Sequence, residues 1–449
     1  MLPQVSGAPS QESLTIEPAP QRWAELLPKD RPAVIMTGHQ AEFWHPGILA
    51  KYLAADAAAR AVLNAGGRAT VVWLVADQDS NDPARLSYPV VSPAGPRKAV
   101  WRVPKAGSGL SDEGLDTPTA ALPPLAPPAG QSWPDPPPTL PSVGEGLTRI
   151  AAALRAHAAE PSAARQISSA LCDLLAPLGR PQRVVFATEL HQETAFRRLL
   201  ESMVADPESC AAAYNAAAAR FPRARVRPLT TESGRTELPL WRMPEKPGRP
   251  RRPIYASDLK GLSPSLLAPR ALLMTAIARM GLCDLFIHGT GGGHYDQVTD
   301  EWFSRWQPGV KLAPTAVVTA TRRLPFGEKV LTPEEITRAQ WRAHHALHDP
   351  AAMGDSAAEQ RKQDLLYQLR TARSRGQSPA VAFRSLHTLL EQTRSTHADR
   401  VGALQSEAAA AVEQRESAKT VHDRTWPFPL YPPSVIEGLK VEVDRAFGL

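Results

Sequence analysis

The 449 residues include only 3 cysteines, at positions 172, 210 and 283. They are far apart and odd in number. This argues against a disulfide framework and against a Cys-based zinc site, which needs close pairs. No run of about 18 apolar residues occurs, so no membrane span is expected. The opening MLPQVSGAPSQESLT has neither a basic start nor an apolar core and does not read as a signal peptide. Together these absences point to a soluble, cytoplasmic protein. Aromatics are also scarce, at 6%, although 43% of residues are apolar. The apolar fraction is rich in alanine, which favours helix over sheet. No Lys/Arg run with interleaved aromatics appears. The net charge of +6 therefore permits an anionic ligand without implying nucleic acid. Nothing matches a Gly-x-Gly-x-x-Gly fingerprint, a Walker A loop or a Gly-x-Ser-x-Gly elbow.

Proline, by contrast, is abundant. The chain has 45, about twice the usual frequency, with no collagen period. Nine of them fall at 123, 124, 127, 128, 134, 136, 137, 138 and 141, and smaller groups fall at 244–253 and 427–433. These groups punctuate the chain. Between them the patterning is regular. Ala33-Val34-Ile35-Met36 reads as a buried strand ending at Thr37-Gly38-His39-Gln40. Ile48, Tyr52, Ala55, Ala59 and Leu63 then step at helical spacing, and Gly66-Gly67 reads as a C-cap. TVVWLV, residues 70–75, reads as a second strand. Strand, helix and strand in about 45 residues predict a βαβ unit with a parallel sheet.

Further strands are expected at 183–188, 285–288 and 315–321, with helices at 145–178, through Phe196, Leu199, Leu200 and Met203, and at 207–220, and another starting at Pro269. Residues 1–30 read as a loose polar arm. After residue 330 the pattern is all helix, with two helices meeting at Arg375–Pro379. The second is expected to run unbroken over about 380–423. Its seam is Leu386, Leu390, Thr393, His397, Val401, Leu404, Ala408 and Ala411, with coiled-coil-like spacing and a stutter. The predicted organisation is a Rossmann-like α/β core over 1–330, with a Pro-rich insertion at about 103–145 and, at about 225–258, short alternating pieces that suggest hairpins or an irregular insertion. A helical coiled-coil arm follows over 331–425, and 426–449 returns to the core.

In open parallel sheets, ligands sit beyond the carboxyl ends of strands, near helix N-termini. Three segments occupy such positions. The first holds Thr37, Gly38, His39, Gln40 and His45 between a strand and a helix; its histidines either face an anion or are ordinary loop residues. The second, Asp77-Gln78-Asp79-Ser80-Asn81-Asp82, is suited to a metal, an amine or a ribose hydroxyl, or is a solvated turn. The third is His288-Gly289-Thr290-Gly291-Gly292-Gly293-His294. Four glycines in five positions exceed the needs of a tight turn and suggest a ligand loop ahead of a helix. His344, His345 and His348 mimic metal spacing but lack a carboxylate set, and read as surface residues.

Four peptides resemble the family of cysteine-adding enzymes of bacillithiol biosynthesis (BshC). They are Thr37-Gly38-His39-Gln40-Ala41, Trp73-Leu74-Val75-Ala76-Asp77-Gln78-Asp79-Ser80, Ala268-Pro269-Arg270-Ala271-Leu272 and Gly289-Thr290-Gly291-Gly292-Gly293. The family's Glu-Asp-His-Asp becomes Asp-Gln-Asp-Ser, and its glycine loop loses a Pro and a Glu. The resemblance implies a nucleotidyltransferase-like Rossmann core and homodimerisation through the coiled coil. It also implies a ligase joining the carboxyl of cysteine to the amine of a glucosaminyl-malate-like acceptor, with ATP or another nucleotide activating the carboxylate. His39, Asp77 and Asp79 would then be catalytic. Thr37, Gly38, Gln40, His45, His288, Gly289, Gly291, Gly292, Gly293 and His294 would bind nucleotide or substrate. The altered motifs leave open a non-catalytic nucleotide- or metabolite-binding protein.

Overall fold

The computed structural model describes residues 12–92, 95–104, 116–126, 140–179, 181–232, 234–326 and 331–449. Much of the expected insertion at 103–145, including 127–139, lies outside them. The chain divides into two units: residues 1–90, 98–324 and 424–449 form the first, and 91–97 with 325–423 the second.

From residue 12 onward, the segment expected as a loose arm is tied into the first unit. Ser13–Glu17 (β1) pairs antiparallel with a later strand, and Trp23–Leu26 (α1) buries Trp23. Ala33–His39 (β2), Pro46–Asn64 (α2) and Ala69–Val75 (β3) form the anticipated βαβ unit. Thirteen residues of α2 are buried. A helix apolar nearly all round is covered on both sides, and the alanines allow close approach. Each fully buried leucine, such as Leu49 or Leu53, contributes roughly 1.5–3 kcal/mol. Arg85–Ser92 (β4) and Gly95–Arg102 (β5) form a two-stranded sheet.

Pro141–Ala156 (α3) and Ala163–Leu175 (α4) lead to Arg183–Phe186 (β6), Thr194–Ala205 (α5) and Pro207–Arg220 (α6). The region expected as hairpins or an irregular insertion is a small antiparallel sheet, which bears out the hairpins. In it Arg235–Arg242 (β8) pairs with Thr231–Glu232 (β7), Arg252–Tyr255 (β9) and Leu267–Pro269 (β10). Pro269 thus ends a strand, and the helix begins two residues later as Ala271–Gly281 (α7). Leu285–His288 (β11), Thr290–Trp306 (α8) and Thr315–Thr321 (β12) complete the core.

The main sheet has the order β1-β12-β11-β2-β3-β6. All its pairs are parallel except β1 with β12. Numbered by chain order, the five parallel strands run 3-2-1-4-5. This is the Rossmann-like α/β arrangement, with its order reversing between β2 and β11.

In the second unit, Pro333–Ala346 (α9) starts with a capping box between Thr332 and Glu335. Ser356–Ser374 (α10) and Ala380–Thr396 (α11) pack as a hairpin. The long helix is interrupted at His397 and Gln414, so Ala398–Glu413 (α12) and Arg415–His422 (α13) are separate. All eight seam positions are buried or half-buried. Part of that seam is satisfied within the chain: Ala411 packs with Ile336 and Ala339 of α9, and Val401 with Ala346 and Met353.

The chain re-enters the first unit at Arg424, whose Nη1 donates to Thr321 Oγ1 at 3.0 Å. Pro433–Ala446 (α14) packs on α2, and Arg60 joins Asp56 and Asp444 across the two helices.

Candidate functional site at the strand carboxyl ends

The reversal in strand order brings the carboxyl ends of β2 and β11 side by side. Thr37 Oγ1 donates to the Ile287 carbonyl at 3.0 Å, fastening them together. The adjoining residues Gly38 and Gly289 border the crevice at which open α/β sheets bind ligands. Between them stands Lys51 of α2, 5% exposed. Its Nζ donates to the Gly38 carbonyl at 2.7 Å, and a Cβ built on Gly289 would lie 3.8 Å from its Cδ. Among the described residues no carboxylate comes within ion-pair distance of it. Burial lowers its pKa from 10.5 to about 8, against a raising influence from Glu42. A buried ammonium without a counter-charge is costly, and an anion in the crevice would relieve that cost.

Gly289 is the N-cap of α8. The glycines expected as a loop are therefore the first turn of a helix, and His294 lies exposed one turn in. Packing supplies the reason for two of them. A Cβ on Gly292 would come 2.4 Å from His288 Nδ1, and one on Gly293 would come 2.9 Å from Val317 Cγ2. Gly292 thus makes room for the His288 ring, whereas Gly291 faces open space. His288 Nε2 stands 2.6 Å from Asp296 Oδ2, and Asp296 Oδ1 lies 3.4 Å from Arg279 Nη1. These buried contacts are close but lack hydrogen-bond geometry. Arg279 is held independently by the Ala313 carbonyl at 2.7 Å and by Asp300 at 2.8 Å.

On the other side of β2, His39 Nε2 lies 2.8 Å from Glu42 Oε1. Burial lowers the His39 pKa against the raising effect of Glu42. His45 is the N-cap of α2: its Nδ1 accepts from the Gly47 N–H at 3.0 Å. Burial takes its pKa to about 4, so the ring is neutral and free to accept. Gly47 is required there, because a Cβ would meet the His45 ring at 2.8 Å and the Ala320 carbonyl at 2.9 Å. His45 therefore serves the helix start.

The acidic turn after β3 is heavily bonded. Asp77 Oδ1 accepts from the Thr188 N–H at 2.9 Å and Oδ2 from Thr188 Oγ1 at 2.5 Å, tying β3 to the end of β6. Burial raises its pKa from 3.8 to about 6 despite these bonds. Asp79 accepts from Gln40 Nε2 at 2.8 Å and pairs with Arg251 Nη1 at 2.9 Å. Arg251 also bonds the Gln78 carbonyl and lies over the Trp241 ring, 4.3 Å from its centroid. Gln78 is buried, and its Oε1 has no hydrogen-bond partner among the described residues.

The structure brings Thr37, Gly38, Lys51, His288 and Gly289 together at the reversal point, with Gln40 and Asp79 joined beside it. Lys51, Thr188, Arg251, Asp296 and Arg279 were not anticipated from sequence. A lysine inside the otherwise apolar PGILAKYLAA was the available signal for the first. Among the described residues no group of His, Cys, Asp and Glu is arranged to hold a metal ion.

No family model matches the sequence, and no curated protein matches it. Among solved structures the chain is similar to a putative arginyl-tRNA synthetase from Campylobacter jejuni. The identity is 10% over 96% of each chain and the TM-score 0.28, too low to carry an argument about function.

Proposed function

We propose that the chain is a ligase-type enzyme that binds an anionic, nucleotide-like ligand in the crevice between β2 and β11. The observation that supports this reading best is Lys51, buried at the reversal point with no carboxylate partner among the described residues and lying against the cap of α8. A carboxylate and an ammonium do not condense unaided. ATP, when bound, supplies the activation of the carboxylate. Lys51 and the free backbone N–H groups of the first turn of α8 would hold its phosphates. His288, whose Nε2 lies 2.6 Å from Asp296 Oδ2, stands at the same strand end and is suited to move a proton. By resemblance of the four peptides, the carboxylate is that of cysteine and the acceptor amine belongs to a glucosaminyl-malate-like molecule.

A second reading, a non-catalytic nucleotide- or metabolite-binding protein, is favoured by one observation. Both acids of the turn are already committed, Asp77 to Thr188 and Asp79 to Gln40 and Arg251. Incubation with cysteine, glucosaminyl-malate and ATP, followed by mass spectrometry, separates the two. The amide product supports the ligase. Nucleotide binding without product rejects it in favour of the second reading.

We also propose a homodimer formed through the α10–α11 hairpin, which leaves Tyr367, Val381 and Phe383 at 72%, 69% and 51% exposure.

A further inference from the structure

A cavity of about 560 Å³ opens in the first unit at the amino ends of β2 and β3, the edge of the sheet opposite the crevice. This volume is in the range of small-molecule sites. Its wall is made by Trp23, Leu27, Ala58, Ala61, Val62 and Phe447. Trp23 and Phe447 meet edge to face, with ring centroids 5.0 Å apart. Trp23 Nε1 is already spent on the Pro18 carbonyl at 2.9 Å, so this wall offers no polar group. The void exists because the carboxyl half of α2 presents alanines where larger side chains would fill it.

The rim has the opposite character. Gln21, Lys29, Arg31 and Arg68 line it, and among the described residues no acid does. Arg31 is engaged with Asp284. Lys29 and Arg68 make no ion pair among the described residues. The end of α2 also faces this cavity, and a helix end carries partial negative charge. Here that charge is muted, because the carbonyls of Ala61, Val62 and Leu63 accept from the N–H groups of Ala65, Gly67 and Gly66. An apolar well with two uncompensated cations at its mouth matches one chemical class.

We propose that this cavity binds a free single-chain amphiphile bearing one carboxylate, with its tail against Trp23 and Phe447 and its head group at Lys29 and Arg68. The site is separate from the crevice and does not depend on the ligase reading.

The test is isothermal titration of the full chain with decanoate and with decanol. Saturable decanoate binding is expected, with decanol roughly fivefold weaker, the scale of two exposed charge contacts. Ala61→Phe, which fills the well, should weaken both ligands by roughly tenfold or more. The double variant Lys29→Glu, Arg68→Glu should weaken decanoate and leave decanol unchanged. It alters only exposed side chains, so it reports even where Ala61→Phe fails to fold. Any of three results overturns the proposal: no saturable decanoate binding, equal affinity for acid and alcohol, or decanoate binding by the charge-reversed variant as tight as the original.

Discussion

Replacing Lys51 with methionine tests the crevice most directly. The shift of the Lys51 pKa from 10.5 to about 8 corresponds to about 3 kcal/mol of destabilisation while the group is charged in both states. Methionine removes that cost but leaves the Gly38 carbonyl without its donor, a loss of about 2 kcal/mol. Lys51→Met should therefore be about 1 kcal/mol more stable than the original at pH 7. The sign then reverses with pH. The folded pKa lies below the unfolded one, so between pH 8 and 10.5 the unfolded chain binds more protons and the original gains stability as pH rises. By pH 10 the burial cost falls to about 1 kcal/mol, and the variant should be the less stable by about that amount. Urea unfolding followed by tryptophan fluorescence suits the measurement, because eight of the nine tryptophans among the described residues fall in the first unit. ATP binding should fall roughly tenfold or more in the same variant, the scale of one charge-assisted hydrogen bond. A stability difference that does not vary between pH 7 and 10, or unchanged ATP affinity, would refute the reasoning.

Other outcomes follow from the same geometry. Asp77→Asn keeps both bonds to Thr188, because the amide oxygen accepts from the N–H and the NH2 donates to Oγ1. The folded pKa of Asp77 is raised to about 6, so the original is destabilised at pH 7 and gains stability as pH falls from about 6 towards 4. The variant should be about 1–3 kcal/mol more stable at pH 7 and lose that pH dependence, as read from urea midpoints at both pH values. Gly292→Ala places a methyl 2.4 Å from His288 Nδ1 and should cost about 1–3 kcal/mol. Gly291→Ala meets open space and should gain up to about 1 kcal/mol from helix propensity; thermal unfolding of the pair separates packing from propensity. Val381→Asp with Phe383→Asp should convert a dimer to a monomer in light scattering without loss of helicity. An unchanged mass would reject this hairpin as the interface.

The core was legible in the chain because apolar period and punctuation agree there. Ala33–Val75 announced its strand, helix and strand, and RVVF and LFIH announced two further strands. Strand order was not legible, since placing β11 beside β2 depends on contacts across 250 residues, such as Thr37 to Ile287. The glycines at 289–293 suggested a loop because glycine disfavours helix. Tertiary packing overrides that preference, because Gly292 and Gly293 admit His288 and Val317 against the helix. The alternating pieces around β8 suggested hairpins, but their pairing was obscured by prolines: Pro239 lies inside β8 where its register against β9 shifts, Pro253 is in the edge strand β9 and Pro269 ends β10. Arg251, in the proline-broken Gly248-Arg249-Pro250-Arg251-Arg252-Pro253, showed no evident partner until the fold carried it to Asp79.

The first unit is closed by its last residues. Trp426, Leu430, Tyr431, Leu439 and Val443 are all buried, and Tyr431 Oη donates to the Arg322 carbonyl at 3.1 Å. The 99 residues of 325–423 come between that carbonyl and its donor. During synthesis the sheet must wait for them, on the order of 5 to 20 seconds at ordinary elongation rates. For that interval the outer face of α2 and the surface of α3 that receives Pro429 are uncovered apolar surfaces on a nascent chain. The helical unit, complete before the core is sealed, thus sets a clock on the folding of the sheet. A longer arm would lengthen the interval in which those apolar surfaces stay uncovered.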